Sequence, residues 1–397
     1  MKKLLFLTII CALTFSSRAT IYRLGYPGIA IPGLDYAYND FYSLQNAAVN
    51  GDTVQVYQQY FFGESTLDVQ KNLKLIGYGY QLNINTGFQV MNLPDSSVLR
   101  GIHLTFNSGS AGSSAEGLFL KGANFGDSNL TVKRCKFYDN PNGCFYLGAS
   151  GFIDNLLIQG CYFKGRYDTL ASNWSNCQSG IGYTWGWTSS IKNLRFVNNI
   201  WEGRFFIPII QNNTTGNSVN PSTGLIANNI FLHKKGFVES AELFRIDGPS
   251  YFFIKNNIFY VDSISNIGYW GNSYNSTKVI IPAGCVVQNN VSNLPASYNA
   301  WGGTNQWGLS NLFVSSFQDG YFASESGLQL AAGSPALTVG KNNSGANTPC
   351  GIYGGEPGYI YKLSGIPAIP AIYQLTAPSI NATTNPYNIT TSTRSNN

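Results

Sequence analysis

Two adjacent asparagines inside an apolar run are hard to place in a β-strand. This chain nevertheless repeats them in "NLRFVNNIW" (193–201), "GLIANNIF" (224–231), "YFFIKNNIF" (251–259) and "GCVVQNNV" (284–291). The related words "NLTVKRCKF" (129–137) and "NLLIQGCYF" (155–163) carry cysteine where the others carry the second asparagine. Taking that position as an anchor gives Cys135, Cys161, Asn199, Asn229, Asn257 and Asn290, at intervals of 26, 38, 30, 28 and 33 residues. Such periods match one turn of a solenoid whose loops differ in length.

The pattern around each anchor is more informative than the spacing. Five before, three before and two after it stand Leu130, Val132, Phe137; Leu156, Ile158, Phe163; Leu194, Phe196, Trp201; and Phe252, Ile254, Phe259, with Gly224, Ile226, Phe231 and Cys285, Val287, Ser292 as looser copies. Alternation of period two marks a strand with one buried face. The slip between minus three and the anchor predicts a corner between two short strands, after which the anchor points inward. Stacked at the ~4.8 Å strand spacing, inward asparagines bond to one another and to the corner backbone as a ladder. An isolated buried amide would instead cost about 1 to 3 kcal/mol. Cys135 and Cys161 are expected to fill the same corner as small buried side chains.

Only 11% of residues are charged, and Gly, Asn, Phe and Tyr are abundant, a composition of strands and turns rather than helices. Lys2 and Lys3, the apolar run 4–15 and the small residues Ser17 and Ala19 form the pattern of a secretory signal peptide ending at Ala19. A lipoprotein reading through Cys11 is disfavoured by Ile10, bulky where such sites take a small residue. Losing Lys2, Lys3 and Arg18 lowers the formal charge from +5 to +2, so nothing global points to nucleic acid. Beyond residue 19 no apolar stretch approaches the roughly 18 residues of a spanning helix. The mature chain is therefore expected to be exported, either secreted or held at the outer cell surface.

These words resemble the right-handed parallel β-helix of the pectate-lyase-like superfamily and, within it, secreted proteins of Bacteroidetes-type bacteria. The likeness covers residues 38–355. The stretch "YNDFYSLQNAAVNGDTVQVY" (38–57) looks like the short helix that feeds a first rung, and "KNLKLIGYG" (71–79) like an early rung. "LQLAAGSPALTVG" (328–340) and "CGIYGG" (350–355) look like closing rungs. The expected organisation is a signal peptide (1–19), a leader (20–37), an all-β solenoid (38–355) and an extended C-terminal tail (356–397). Asp40 is expected to cap a helix running to Asn50, with Gly51 as a left-handed exit and Leu44, Ala47 and Ala48 covering the open end. The tail is read as a strap with at most one strand, or as a sorting signal.

The resemblance implies no particular reaction. The N-T-D, D-D, G-H-G and R-I-K words of polygalacturonase-like hydrolases are missing, with "RID" (245–247) the nearest fragment. No D-x-D spacing supplies paired carboxylates, and no convergent acidic set supports calcium or another cofactor. One column invites a functional reading. Five after the anchors stand Arg166, Arg204 and Lys234, flanked by Asn140 and Asp262. Uronate or sulfate groups would neutralise such a column; alternatively Glu202 and Asp168 balance it as a solvated face.

Trp174, Trp185 and Trp187 share a Gly/Ser-rich loop. It reads either as a sugar-stacking platform or as a cover for the outward ridge of Ile200, Ile230 and Ile258. Trp301 and Trp307 raise the same question. Of the two histidines, His103 and His233, the second is the better candidate because it adjoins Lys234. Six cysteines remain beyond the signal, at 135, 144, 161, 177, 285 and 350. Stacked positions are slightly too far apart at Cβ for an unstrained bridge, so buried thiols are expected, with Cys144 and Cys177 left open. The expected function is binding of extracellular polysaccharide or cell-surface glycan, or adhesion. The rivals are a lyase with Arg204 as base beside Glu202 and Lys234, and a purely structural surface protein.

Overall fold

The computed structural model describes residues 19–25, 29–37, 40–57, 66–68, 71, 73–77, 83–86, 90–93, 98–100, 103–106, 118–120, 127–129, 131–140, 145–147, 152–165, 178–180, 190–202, 204–207, 221–233, 243–246, 250–261, 279–295, 301–314, 325–355, 361, 371–376 and 390–394. For the described residues between 77 and 128, and for several strand residues elsewhere including Arg204 and His233, the backbone alone is described.

The chain winds as a parallel β-solenoid. Successive passes lay strands into an eleven-stranded sheet, an eight-stranded sheet and two four-stranded sheets, each built from parallel pairs. One pass shows the construction: Leu194–Val197 lies in the first sheet, Ile200–Glu202 in the second, Arg204–Ile207 in a four-stranded sheet, and Ser222–Ala227 returns to the first.

Register places like residues over like. Val132, Ile158, Phe196, Ile226 and Ile254 align through the eleven-stranded sheet, all buried. Phe163, Trp201, Phe231 and Phe259 align through the eight-stranded one. Phe205 and Phe244 face them from the third wall. Ring centroids lie 4.7 Å apart for Phe163 and Trp201, 5.2 Å for Phe231 and Phe259, and 4.8 Å for Phe205 and Phe244. Each contact adds about 0.5–1.5 kcal/mol beyond the apolar area it buries. Phe137 occupies the register position before Phe163, but its side chain lies outside the described residues.

The corners explain why asparagines come in pairs. The first of each pair, Asn198, Asn228, Asn256 or Asn289, turns the chain at φ between 55 and 57°. This left-handed conformation costs an ordinary residue about 1–2 kcal/mol, and Asn offsets part of that through its short polar side chain. Gly160 serves the same corner one rung earlier at φ 63°, and Arg134 before it at φ 51°.

The second asparagine points inward and is fully buried. Asn229 Oδ1 accepts from Asn199 N at 2.8 Å and from Asn199 Nδ2 at 3.2 Å. Asn257 Oδ1 receives the matching pair from Asn229, and Asn290 Oδ1 the pair from Asn257. The other Nδ2 hydrogen donates to a carbonyl one rung back: Ile158 O, Phe196 O, Ile226 O or Ile254 O. At the low end Cys161 N donates to Asn199 Oδ1, and Cys135 N to Cys161 Sγ. At the high end the ladder gains an unexpected member, Asn305, whose Oδ1 accepts from Asn290 N and Nδ2.

The ends depart from expectation in three places. The eleven-stranded sheet begins inside the leader, where Ile21–Leu24 pairs with both Asp35–Tyr36 and Thr53–Val56. Helix α1 spans Phe41–Ala47, and the Asp40 side chain makes no capping bond. Asp52 ties this end down instead, accepting from Thr20 N and Val49 N at 2.7 Å each, while Lys71 Nζ donates to the C-terminal carbonyls of Asn46 and Ala48. Phe41, Leu44 and Ala48 close the core, whereas Ala47 is exposed. The tail contains two strands, Ala371–Thr376 and Thr390–Arg394, paired antiparallel with each other.

The ladder generates a stability prediction. Asn229→Ala removes the acceptor of two Asn199 donors and the donor of Phe196 O, all inside the core. At about 1–3 kcal/mol per buried group left unmade, the expected loss is several kcal/mol in chemical unfolding. Asn305→Ala, at the ladder's half-buried end, should cost clearly less.

Candidate functional site

Among the strand side chains that are described, the most exposed aromatic surface lies on the outer face of the eleven-stranded sheet. Strand Ser250–Lys255 alternates buried Ser250, Phe252 and Ile254 with outward Tyr251, Phe253 and Lys255. Tyr251 is 55% and Phe253 54% exposed. In register, Phe253 lies between Leu225 and Val286, and Tyr251 beside Thr223.

Local geometry makes this surface. Earlier strands of the sheet are entered through left-handed asparagines, Asn129, Asn155 and Asn193. The next two passes run straight through that level, so Ser222–Ala227 and Ser250–Lys255 are six residues long. Gly224 permits the close approach: a Cβ there would stand 2.2 Å from Leu194 O. A Cβ on Gly284 would meet the Tyr251 ring at 2.8 Å, so that ring rests over bare backbone. Neither aromatic was singled out by the repeat pattern, although the alternation within "SYFFIK" (250–255) already put both on the outward side.

Of the basic column only Arg204 lies among the described residues, by its backbone. Arg204 opens its strand in register with Gln178, and Phe205 N bonds to Leu243 O on the following pass. Its strand neighbours are therefore Gln178 and the turn at Leu243. Arg166, Lys234, Asp168 and Asp262, and the loop residues Trp174, Trp185 and Trp187, lie outside the described residues. Asn140 ends a strand opposite Gly165. His103 opens a strand opposite Lys136, and His233 closes one opposite Val261; the side chains of both lie outside the described residues. Trp301 and Trp307 pack against the core at the solenoid's end, with ring centroids 5.2 Å apart.

Glu202 is 1% exposed, and its Oε1 accepts from the Tyr162 hydroxyl at 2.5 Å. It sits beside Leu232, in register with Lys164. Next to it, the ridge of Ile200, Ile230, Ile258 and Val291 packs against Leu312, Phe313, Leu328, Ala336, Cys350, Ile352 and Tyr361. The cover over these isoleucines is thus the C-terminal segment. Outer asparagines clip it in place: Asn198 Nδ2 donates to Ile352 O and Gly354 O, Asn228 Nδ2 to Pro349 O, and Asn256 exchanges bonds with Lys341 N and O.

Among the described residues no group of three or more His, Cys, Asp or Glu is placed to hold a metal ion, and no helix is long and apolar enough to cross a membrane. Cys135, Cys161, Cys285 and Cys350 are free thiols. Cys144 and Cys177 lie outside the described residues. In comparisons with known proteins the chain matches no family, no curated protein and no solved structure.

Burial sets the reactivity of the thiols. It pushes Cys350 up to about 12, and burial followed by the neighbouring Cys135 sulfur holds Cys161 well above the ordinary thiol range. Cys285 is raised too, but is only half-buried. Among the four described thiols, alkylation of the native protein at neutral pH should therefore label Cys285 first and leave Cys161 and Cys350 unmodified until unfolding. Mass mapping of the labelled peptides checks the order.

Proposed function

We propose that the protein is exported and binds an extracellular carbohydrate, in solution or on a cell surface, through the outer face of its eleven-stranded sheet. The observation that carries this reading is the pair Tyr251 and Phe253, each more than half exposed on one strand of a parallel sheet. A sugar ring presents a C–H face to an aromatic ring and its hydroxyls to surrounding polar groups, so broad rings on a rigid surface suit it. Exposed apolar surface rimmed by polar residues ordinarily has a partner. Val286 and Leu225 extend the surface along the axis, and Arg195 stands one strand further on. The tryptophan loop, with Trp174, Trp185 and Trp187, and the basic residues Arg166, Arg204 and Lys234 would add ligand contacts from other parts of the turn.

The rival lyase reading assigns Arg204 as base, with Glu202, Lys234 and His233 beside it. Burial of Glu202 and its bond to Tyr162 weigh against it, because a carboxylate so enclosed does not reach a polymer at the surface. A solely structural role leaves Tyr251 and Phe253 exposed without a use.

Glycan-array binding followed by product analysis separates the three readings. Binding without products is expected, and Tyr251→Ala together with Phe253→Ala should weaken it on the order of tenfold at unchanged melting temperature. Unsaturated uronate absorbance would establish the lyase. Silence on every polymer would leave the structural role.

A further inference from the structure

We propose that this same sheet face carries a lane of positive charge that takes a linear anionic glycan lying along the solenoid axis. The inference rests on the carbohydrate reading and adds the ligand's charge and path.

Two columns flank the inward one through nine strands of the sheet; the first is at least partly exposed wherever its side chains are described, and the second is buried at Gln159, Val197 and Ala227. The first contains Thr53, Lys74, Val98, Thr131, Leu157, Arg195, Leu225, Phe253 and Val286. The second contains Gln55, Ile76, Arg100, Lys133, Gln159, Val197, Ala227, Lys255 and Gln288. Neither column holds a single Asp or Glu, although the whole chain has 19 acidic against 24 basic residues. Register therefore sets no carboxylate beside these cations within the lane.

The cations are also spaced regularly. In sheet order Lys74, Lys133, Arg195 and Lys255 each stand two strands from the next, alternating between the columns. At the ~4.8 Å strand spacing this is one positive group about every 10 Å, over a lane of about 29 Å. Arg100 holds the register position between the first two. Lys74 and Arg195 are exposed, and Lys133 and Lys255 partly so. Lys255 Nζ donates to Asn343 Oδ1, a neutral acceptor that leaves its charge in place.

Lys74, Lys133, Arg195 and Lys255, about 10 Å apart along the axis, lie near the screening length of physiological salt, so they repel one another little while their potentials still add along the lane; Arg100, one strand from Lys133 in the same column, is the exception. A staggered row of this kind matches a ligand whose negative groups recur along its length. Between the cations the partly exposed Leu157 and Leu225 of the first column offer apolar surface for sugar rings, whereas Val197 and Ala227 of the second are buried. The lane ends on the strand that bears Tyr251 and Phe253, joining charge recognition to ring stacking. Carboxylate and sulfate would both satisfy the cations. Lysine, a point charge without the planar fork of arginine, binds either.

The test measures binding of the full-length protein to polygalacturonate, to dextran sulfate and to neutral dextran across a salt series. Anionic polymer should bind more tightly than dextran, and the ratio of the two anionic arms identifies the group preferred. A quadruple variant carrying Lys74→Gln, Lys133→Gln, Arg195→Gln and Lys255→Gln should lose at least tenfold in affinity and show a flatter salt dependence, with its melting temperature unchanged. Anionic binding that survives the four substitutions, or equal binding of dextran and dextran sulfate, overturns the lane. If that binding still falls with Tyr251→Ala and Phe253→Ala, the carbohydrate reading stands without it. No binding to any of the polymers overturns both.

Discussion

The fold depends on an amide oxygen that serves two donors at once. Asn229, Asn257 and Asn290 each use Oδ1 to receive both the backbone N–H and the side-chain Nδ2 of the asparagine one rung earlier, and each sends its own Nδ2 to a carbonyl behind it. The corner is where a parallel solenoid would otherwise bury backbone donors that no strand pairing reaches. A ladder that satisfies these donors with side chains keeps the corner dry and fixes the height of every rung. It is also directional. The backbone N–H and one Nδ2 hydrogen of each rung point toward the next, so the last rung needs an acceptor, and Asn305 supplies it.

The pairing of asparagines couples that interior order to the exterior. The inner member needs a sharp turn just before it, and the outer member, held at positive φ, makes that turn while directing its own amide outward. There it meets the carbonyls of the C-terminal segment at Pro349, Ile352 and Gly354. Gly351 sits directly on the ridge, where a Cβ would stand 2.7 Å from Ile258 Cδ1, so the cover lies as close to the isoleucines as backbone can. Core and cover are two apolar clusters on opposite sides of the eight-stranded sheet, and the paired asparagines lie at the hinge of both.

The parallel solenoid, its inward columns and the second asparagine of each pair were legible in the sequence because stacking makes each rung repeat the demands of the last. Where the demand changes, the signal fades. Asn305 follows Asn290 by only 15 residues, without the flanking alternation, so no period reveals it. The roles of Asn198, Asn228 and Asn256 were hidden because their partners lie far along the chain. Asp40 had the residue type of a cap, but Asp52, brought close only by the sheet, made the bonds. Counting five residues past each anchor failed to find the neighbours of Arg204, because strands realign after loops of unequal length and Gln178 lies beside it.

Outward positions are harder to read because the stack leaves them unconstrained. An inward residue must match those above and below it; an outward residue meets solvent, and nothing in the fold prefers Phe253 over serine. The register nevertheless orders the outer face as strictly as the core, since a column defined by Ile226 and Ile254 inside also defines Leu225 and Phe253 outside. Chemistry that recurs along such a column has no folding reason to do so. Thus an apolar column inside the solenoid reports packing, whereas packing does not account for the outward Lys74, Arg195, Tyr251 and Phe253. The ligand proposed above, as long and as regular as the sheet itself, would account for them.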